Sequence, residues 1–376
     1  MKYDLTQARK CIETLDKRRF DRALLGSGDA FRHIVSLVPL LLHLNHPALP
    51  GYVEDAPAGI ADFILSNYQQ NFLSKEHPEL VEDVQSAVNS DAVFAPILGI
   101  YVMGSFGSIS QTSASDLDIW ICHQDDLSEQ DQQRLAEKTK KISLWASTFH
   151  VEMHFYLMTQ KRFRNERYSD PLTKENSGSA QYMLLLEEFY RSAVRLSGKP
   201  LLWLHLWVED EKQYEAEVSR LVEAGELDPN DWVDFGGLGQ FSASEYFGAS
   251  LWQLYKGIDS PYKSVMKILL LETYAQEYPN AHLIARQFKE DLLSGRSTAA
   301  HHFDPYIAIL ERISQYLTAH SEFKRLDFVR SCFYVKATED FALYHASNWR
   351  ISYMKMMAQE WGWSKERIEE LDQRPN

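Results

Sequence analysis

Apolar residues recur at helical spacing from the start of the chain. Leu5, Ala8, Ile12 and Leu15 mark one helix, and a second, more apolar helix is predicted from about Phe31 to Leu44. Residues Asn45 to Gly51 (NHPALPG) hold two prolines and a glycine and predict a loop. From about Ile60 to Val88 the periodicity is weak, with helix and loop expected. The pattern changes at Pro96. ILGIYVMG, ending at Gly104, is a short apolar run of strand type. DLDIWICH, Asp116 to His123, alternates polar and apolar at its start, as a half-buried strand does. Between them lies SFGSISQTSAS, mostly small and hydroxyl residues. A helix follows from Ser128 to Thr148, with Ser128 and Asp131 as an N-cap pair. HVEMHFYL, His150 to Leu157, alternates again. The predicted order is strand, small-residue turn, strand, helix, strand.

From Gly178 onward helices dominate. One is predicted from Ser179 to Leu196, and LLWLHLWV, Leu201 to Val208, reads as a further strand. Ser242 followed by Glu245 opens a helix with a capping box. Ser260 followed by Pro261 opens the next, with proline at the favoured first position. The remainder, to about Leu371, is mostly helical. There is no internal repeat and no low-complexity segment. The chain ends just after a helix, which fits a piece cut from a longer protein. The expected fold class is α/β, with an α/β lobe over residues 1–208 that includes the N-terminal helices, and a mainly helical lobe over 209–376.

Composition narrows the function. Of 376 residues, 45% are apolar, enough for a sizeable core, and the formal net charge is −14. So acidic a surface repels phosphate backbones and anionic lipid, which argues against nucleic-acid binding. A small anionic substrate held by a few focused cations stays open. Cys11, Cys122 and Cys332 are far apart and odd in number, so neither a disulfide framework nor a zinc site is expected, and a reducing cytoplasm fits. The N-terminus carries charges throughout and lacks an apolar signal region. The longest apolar run, Ile34 to Leu44, is interrupted by Pro39 and His43 and is too short to span a bilayer.

The candidate chemistry starts at Asp116 and Asp118. Two residues apart on a strand, they point to one face. Side by side they repel, and folding alone gives no reason for the pair. Divalent cations between them give one, since Mg²⁺ prefers carboxylate and phosphate oxygens, and a two-metal site holds its ions roughly 3.5–4 Å apart. Gly104 and Ser105 end the preceding strand and open the small-residue turn. Glycine lets backbone approach a ligand, free N–H groups cradle phosphate oxygens, and the Ser105 hydroxyl adds a hydrogen bond. Gly107 and Ser108 extend the turn. A third carboxylate is expected on a neighbouring strand, and Glu152 fits, sharing a face with His154 and Tyr156. Glu166, Asp170 and Glu175 are its rivals.

Gly-Ser, then Asp-Leu-Asp, then an acid on the next strand resembles the nucleotidyltransferase superfamily, which includes polymerase-β-like enzymes, poly(A) polymerases and aminoglycoside nucleotidyltransferases. Longer motifs are more specific. MGSFGSISQTSASDLDIWICHQ, LLLEEFYRSAVRLSGK and EYFGASLWQLYKGIDSPYKSVMKILLLE resemble class I bacterial adenylate cyclases, and the similarity runs from DRALLG and LPGY to RLDFVRSCFYVK. The resemblance implies a polymerase-β-like lobe, ATP as substrate, and cyclic AMP and pyrophosphate as products. It implies Asp116 and Asp118 as the metal-binding pair for two Mg²⁺ ions, with Mn²⁺ as a substitute, and Gly104 and Ser105 as triphosphate holders. Glu152 matches the third acid by pattern only. The resemblance also implies a C-terminal regulatory region beyond this chain, through which regulators from a sugar-transport system would act.

Lys263 and Lys267 share a helix face. Lys263 sits in the first turn after Ser260 and Pro261, where a cation opposes the helix dipole and an anion is welcome. A bound triphosphate resolves that conflict; a solvated lysine face is the plain alternative. Poly(A) polymerase-like relatives use lysines on a second-lobe helix in this way, which favours the phosphate role. Trp120 faces the same side as Asp118. Stacking on a purine is open to Trp252, Tyr255 and Tyr262, with core packing the preferred reading; a reach into the cleft is open to Arg191, Arg195 and Lys199, with a helix surface the plainer reading. His301 and His302 are adjacent, cannot share a helix face, and are assigned no metal. Two other functions use the same residues: transfer of a nucleotide to a separate RNA, protein or small-molecule acceptor, and a non-catalytic nucleotide-binding module. The second would be marked by loss of an acid from the pair, and both acids are present.

Overall fold

The computed structural model describes residues 5–25, 27–81, 84, 95–112, 115–166, 182–239, 241–295, 303–339 and 349–373. Asp170, Glu175, His301 and His302 lie outside these residues, and the side chain of Glu166 is likewise not described.

Four strands form one sheet: β1 (Ile97–Met103), β2 (Leu117–His123), β3 (Met153–Met158) and β4 (Val194–Gly198). Their spatial order is β3-β2-β1-β4. β1 runs antiparallel to β2 and β4, while β2 and β3 are parallel, joined by the helix Glu129–Ser147. The predicted cap of that helix forms: the Ser128 hydroxyl accepts the Asp131 N–H at 3.1 Å.

Alternation along the strands divides the interior into two cores. Ile97, Ile100 and Val102 of β1, with Leu117, Ile119 and Ile121 of β2, pack against Leu37 and Leu41 of the helix Asp29–His43 and Leu135 and Ile142 of Glu129–Ser147. Leu98, Tyr101, Met103, Trp120 and Cys122 pack on the other side with Phe189, Trp203, Phe235, Met266 and Ile309. A register shift between Ile97 and Gly99 puts Ile97 and Ile100, three apart, on one face, as a bulge does. The second core joins the sheet to the C-terminal helices. At its centre the helix Pro261–Gln276 packs on Ala243–Lys256, Pro305–Ala319 and Phe323–Thr338. The helix Tyr182–Ser192, which falls before residue 208, contributes Leu186, Phe189 and Tyr190 to this same core.

Two predicted elements differ. The helix expected to Leu196 stops at Ser192, and the next residues form β4 on the free edge of β1. LLWLHLWV is not a strand but holds the short helix Leu202–His205. Most of its apolar side chains are buried, with Leu204 and Trp207 half-buried: Trp203 stacks on Tyr190 at 4.3 Å and donates to Glu211 at 2.8 Å. A run apolar throughout carries no periodicity to separate the two states.

Candidate functional site

A cavity of about 630 Å³ opens between the sheet and the helix Pro261–Gln276. Its wall includes Gly104, Ser105, Asp116, Asp118, Lys263 and Lys267. Six of the seven residues proposed from the sequence are therefore brought together, four from one strand-turn-strand unit and two from a helix well over a hundred residues on.

Asp116 immediately precedes β2 and is exposed, while Asp118 lies within the strand and is half-buried. Burial raises the Asp118 pKa above its ordinary value, and the neighbouring Asp116 raises it further. The Tyr156 hydroxyl on β3 donates to Asp118 Oδ1 at 3.2 Å. In the parallel register His154 is the partner of Asp118, and it too lines the cavity.

Gly104 follows β1 with φ +90°, a region L side chains rarely adopt, although a Cβ there would have room, meeting only Asp118 Oδ2 at 3.9 Å. The Gly104 N–H donates to the Ser192 hydroxyl at 3.0 Å. Deeper in the turn, Gly107 packs so closely on the helix Leu5–Leu25 that a Cβ would lie 2.3 Å from the Arg19 carbonyl oxygen.

Across the cavity, Lys267 pairs with Glu188 at 2.7 Å. Burial is the largest single influence on Lys267 and lowers its pKa, but the Glu188 carboxylate and Tyr306 together outweigh it and the net shift is upward. Lys263 has no such partner among the described residues. Burial, with the charges of Lys336 and Lys267, brings its pKa down to about 8. The Asp116 charge is felt at Lys263 and the Lys267 charge at Asp118, so acids and lysines face one another. Pro261 occupies the first position of the lysine helix as predicted, while the Ser260 side chain makes no capping hydrogen bond.

Glu152 is placed differently. It lies just before β3, mostly exposed, bonded to His154 Nε2 at 3.0 Å, and is not part of the cavity wall. Among the described residues no group of three His, Cys, Asp or Glu side chains is arranged to hold a metal. Arg191, read as helix surface, is buried, ion-paired with Glu187, and lines the cavity. Arg195 lies on β4 rather than a helix and reaches Glu13 at 3.4 Å. Trp120 lines the cavity but is 3% exposed and stacked on Phe189 at 4.1 Å. Trp252 and Tyr255 are not core: Trp252 lines the cavity and Tyr255 is exposed. Ser192 was missed; only its position as the last residue of a helix whose end the sequence did not reveal brings it to Gly104.

Carboxylates therefore stand opposite lysines across one cavity of an α/β fold. Residues 4–204 match the family model described as "Adenylate cyclase NT domain", and residues 241–376 the one described as "Adenylate cyclase, class-I, second domain". The chain belongs to the class-I adenylate cyclase family. It is similar to an adenylate cyclase of Haemophilus influenzae, 68% identical over 100% of this chain and 45% of that protein. One from Pasteurella multocida is 59% identical over 100% of this chain and 45% of that protein, and one from Escherichia coli K12 is 44% identical over 97% and 43%. The chain thus spans less than half the length of these relatives. A solved spectinomycin adenyltransferase from Enterococcus faecialis covers 66% of this chain and 90% of its own at 15% identity, with a TM-score of 0.29, too low to bear on the fold. No helix among the described residues is long and apolar enough to cross a membrane.

Proposed function

We propose that the cavity binds ATP and converts it to 3′,5′-cyclic AMP and pyrophosphate. The ribose 3′-oxygen bonds to the α-phosphorus, the bond from that phosphorus to the departing pyrophosphate breaks, and the hydroxyl proton is released. The observation that carries this reading is the acid pair set against the lysine pair across one cavity, in a chain of this family.

The residues present fit divalent cations. Asp116 and Asp118 are adjacent carboxylates, one with its pKa raised by burial and by the other, so a cation relieves a repulsion the fold otherwise bears. In this reading they hold Mg²⁺, with Mn²⁺ as a substitute. Bound there, such ions lower the pKa of the attacking hydroxyl and neutralise charge on the leaving group. Gly104 and Ser105 hold phosphate oxygens by the backbone and hydroxyl of the turn. Lys263 and Lys267 complete the phosphate clamp, with the uncapped start of their helix adding its dipole. Most of the acceleration is then electrostatic preorganisation. Glu152 stands as an outer acid beside His154, contributing less than the pair. The proposed location is the cytoplasm, with regulators acting through the part of the longer relatives that this chain does not cover.

The test is to incubate the purified chain with ATP and Mg²⁺ and identify products by mass. Cyclic AMP without any acceptor is the expected result. A nucleotide appearing only on an added acceptor would assign the site to intermolecular transfer instead.

A further inference from the structure

The helix Ala243–Lys256 turns one stripe to the cavity: Ala249, Trp252, Gln253 and Lys256, at i, i+3, i+4 and i+7. Gln253 stands apart in this stripe. It is only 8% exposed, yet it lines the cavity. Its backbone carbonyl is taken by the Gly257 N–H at 2.9 Å. Its side-chain carboxamide has no hydrogen-bond partner among the described residues. Its amide atoms are not sealed from solvent, so they are open to hydrogen-bond a ligand that enters the cavity.

The chemistry of the amide selects among ligand parts. A carboxamide presents one donor and one acceptor side by side. Phosphate offers acceptors only, and in the reading above Lys263 and Lys267, which line the same cavity, meet that need. The edge of adenine offers the complement: the N6 amino group donates and N7 accepts, a pair that glutamine reads bidentately. On the same edge of guanine both N7 and O6 are acceptors, and the carboxamide oxygen would face one of them. The neighbouring Trp252 supplies a flat apolar surface, its ring held against Tyr255 at 5.7 Å and 28°. Base stacking on such a ring is sequence-tolerant, so discrimination falls to the polar neighbour.

We infer that Gln253 is the residue that reads the adenine edge, donating to N7 and accepting from N6, with Trp252 beside it as the stacking surface. This rests on the nucleotide reading proposed above and adds to it the source of base selectivity.

The test uses Gln253→Met, which keeps the volume and removes both hydrogen-bonding groups, with Gln253→Ala as a second variant. Affinities for non-hydrolysable ATP and GTP analogues and for inorganic triphosphate are measured with Mg²⁺ on the wild type and both variants, each first shown to melt cooperatively. The wild type should favour the ATP analogue. In the methionine variant that affinity should fall by about tenfold, while the GTP analogue and triphosphate are unchanged. An ATP-to-GTP preference unaltered in both variants would overturn the inference and leave the nucleotide reading standing. Equal losses for all three ligands would move Gln253 to the phosphates and overturn it as well. A wild type that binds none of the three would remove the nucleotide reading, and the inference with it.

Discussion

Asp304 and Ile109, 195 positions apart, are joined by a hydrogen bond of 2.8 Å from the Ile109 N–H to Asp304 Oδ2. The other oxygen, Oδ1, caps the helix Pro305–Ala319 by accepting the N–H groups of Tyr306 and Ile307 at 3.0 and 3.1 Å. One buried carboxylate therefore ties the start of a C-terminal helix to the turn that begins at Gly104. Asp304→Ala removes both the cap and the tie, and is expected to cost about 2–4 kcal/mol of stability. Denaturant unfolding measures the loss. Turnover, assayed well below the unfolding midpoint, should fall as the turn loosens; full turnover in the folded fraction would show that the turn holds its shape without Asp304.

Asp116→Asn and Asp118→Asn should each lower turnover on the order of a hundredfold or more without lowering the melting temperature of the metal-free protein. Neutralising either residue removes a repulsion, so the apo fold gains or is unchanged. Glu152→Gln, outside the cavity wall, should cost far less. Calorimetric melting beside a cyclic AMP assay checks all three, and near-normal turnover in either aspartate variant would end the metal-pair assignment.

The pH dependence of binding follows from Lys263. Its pKa is lowered to about 8, chiefly by burial, against an unfolded value near 10.4. The folded state thus loses this proton earlier than the unfolded state does. Between about pH 8 and 10.4 the unfolded chain binds more protons, so this residue's contribution to stability improves as pH rises through that window. Ligand binding runs the other way, because a phosphate needs the ammonium. Affinity for an ATP analogue should fall as pH rises above 8, with proton uptake on binding seen as a dependence of calorimetric heat on buffer ionisation. Lys263→Arg should flatten that profile.

The two glycines of the turn should fail for different reasons. Gly104→Ala forces a side chain into φ +90° where there is space for it, so the cost is conformational, about 1–3 kcal/mol. Gly107→Ala drives a Cβ into the Arg19 carbonyl at 2.3 Å, and the helix Leu5–Leu25 must shift. The second variant should be the less stable by thermal melting, and equal melting temperatures would show that the helix gives way freely.

Much of this arrangement was already written in local pattern. β1, β2 and the helix between β2 and β3 follow from runs of alternating and periodic residues, and the caps at Ser128 and Ser242 form as read. The shared face of Asp116 and Asp118, and of Lys263 and Lys267, needs only the period of a strand and of a helix. Other features depend on segments far away in the chain. Val194–Gly198 becomes a strand because β1 has an edge to pair, whereas its own residues continue the preceding helical pattern plausibly. Leu202–His205 becomes a helix because Tyr190 and Glu211 receive Trp203. Glu152 obeys the strand period yet stays outside the cavity, and Arg191, whose plainer reading was a helix surface, lines it, as does Gln253, which no local pattern singled out. Periodicity depends on neighbours along the chain and so is legible in the sequence. Whether a polar side chain is paired, buried or left facing a cavity depends on which distant segment packs against it, and only the tertiary structure decides that.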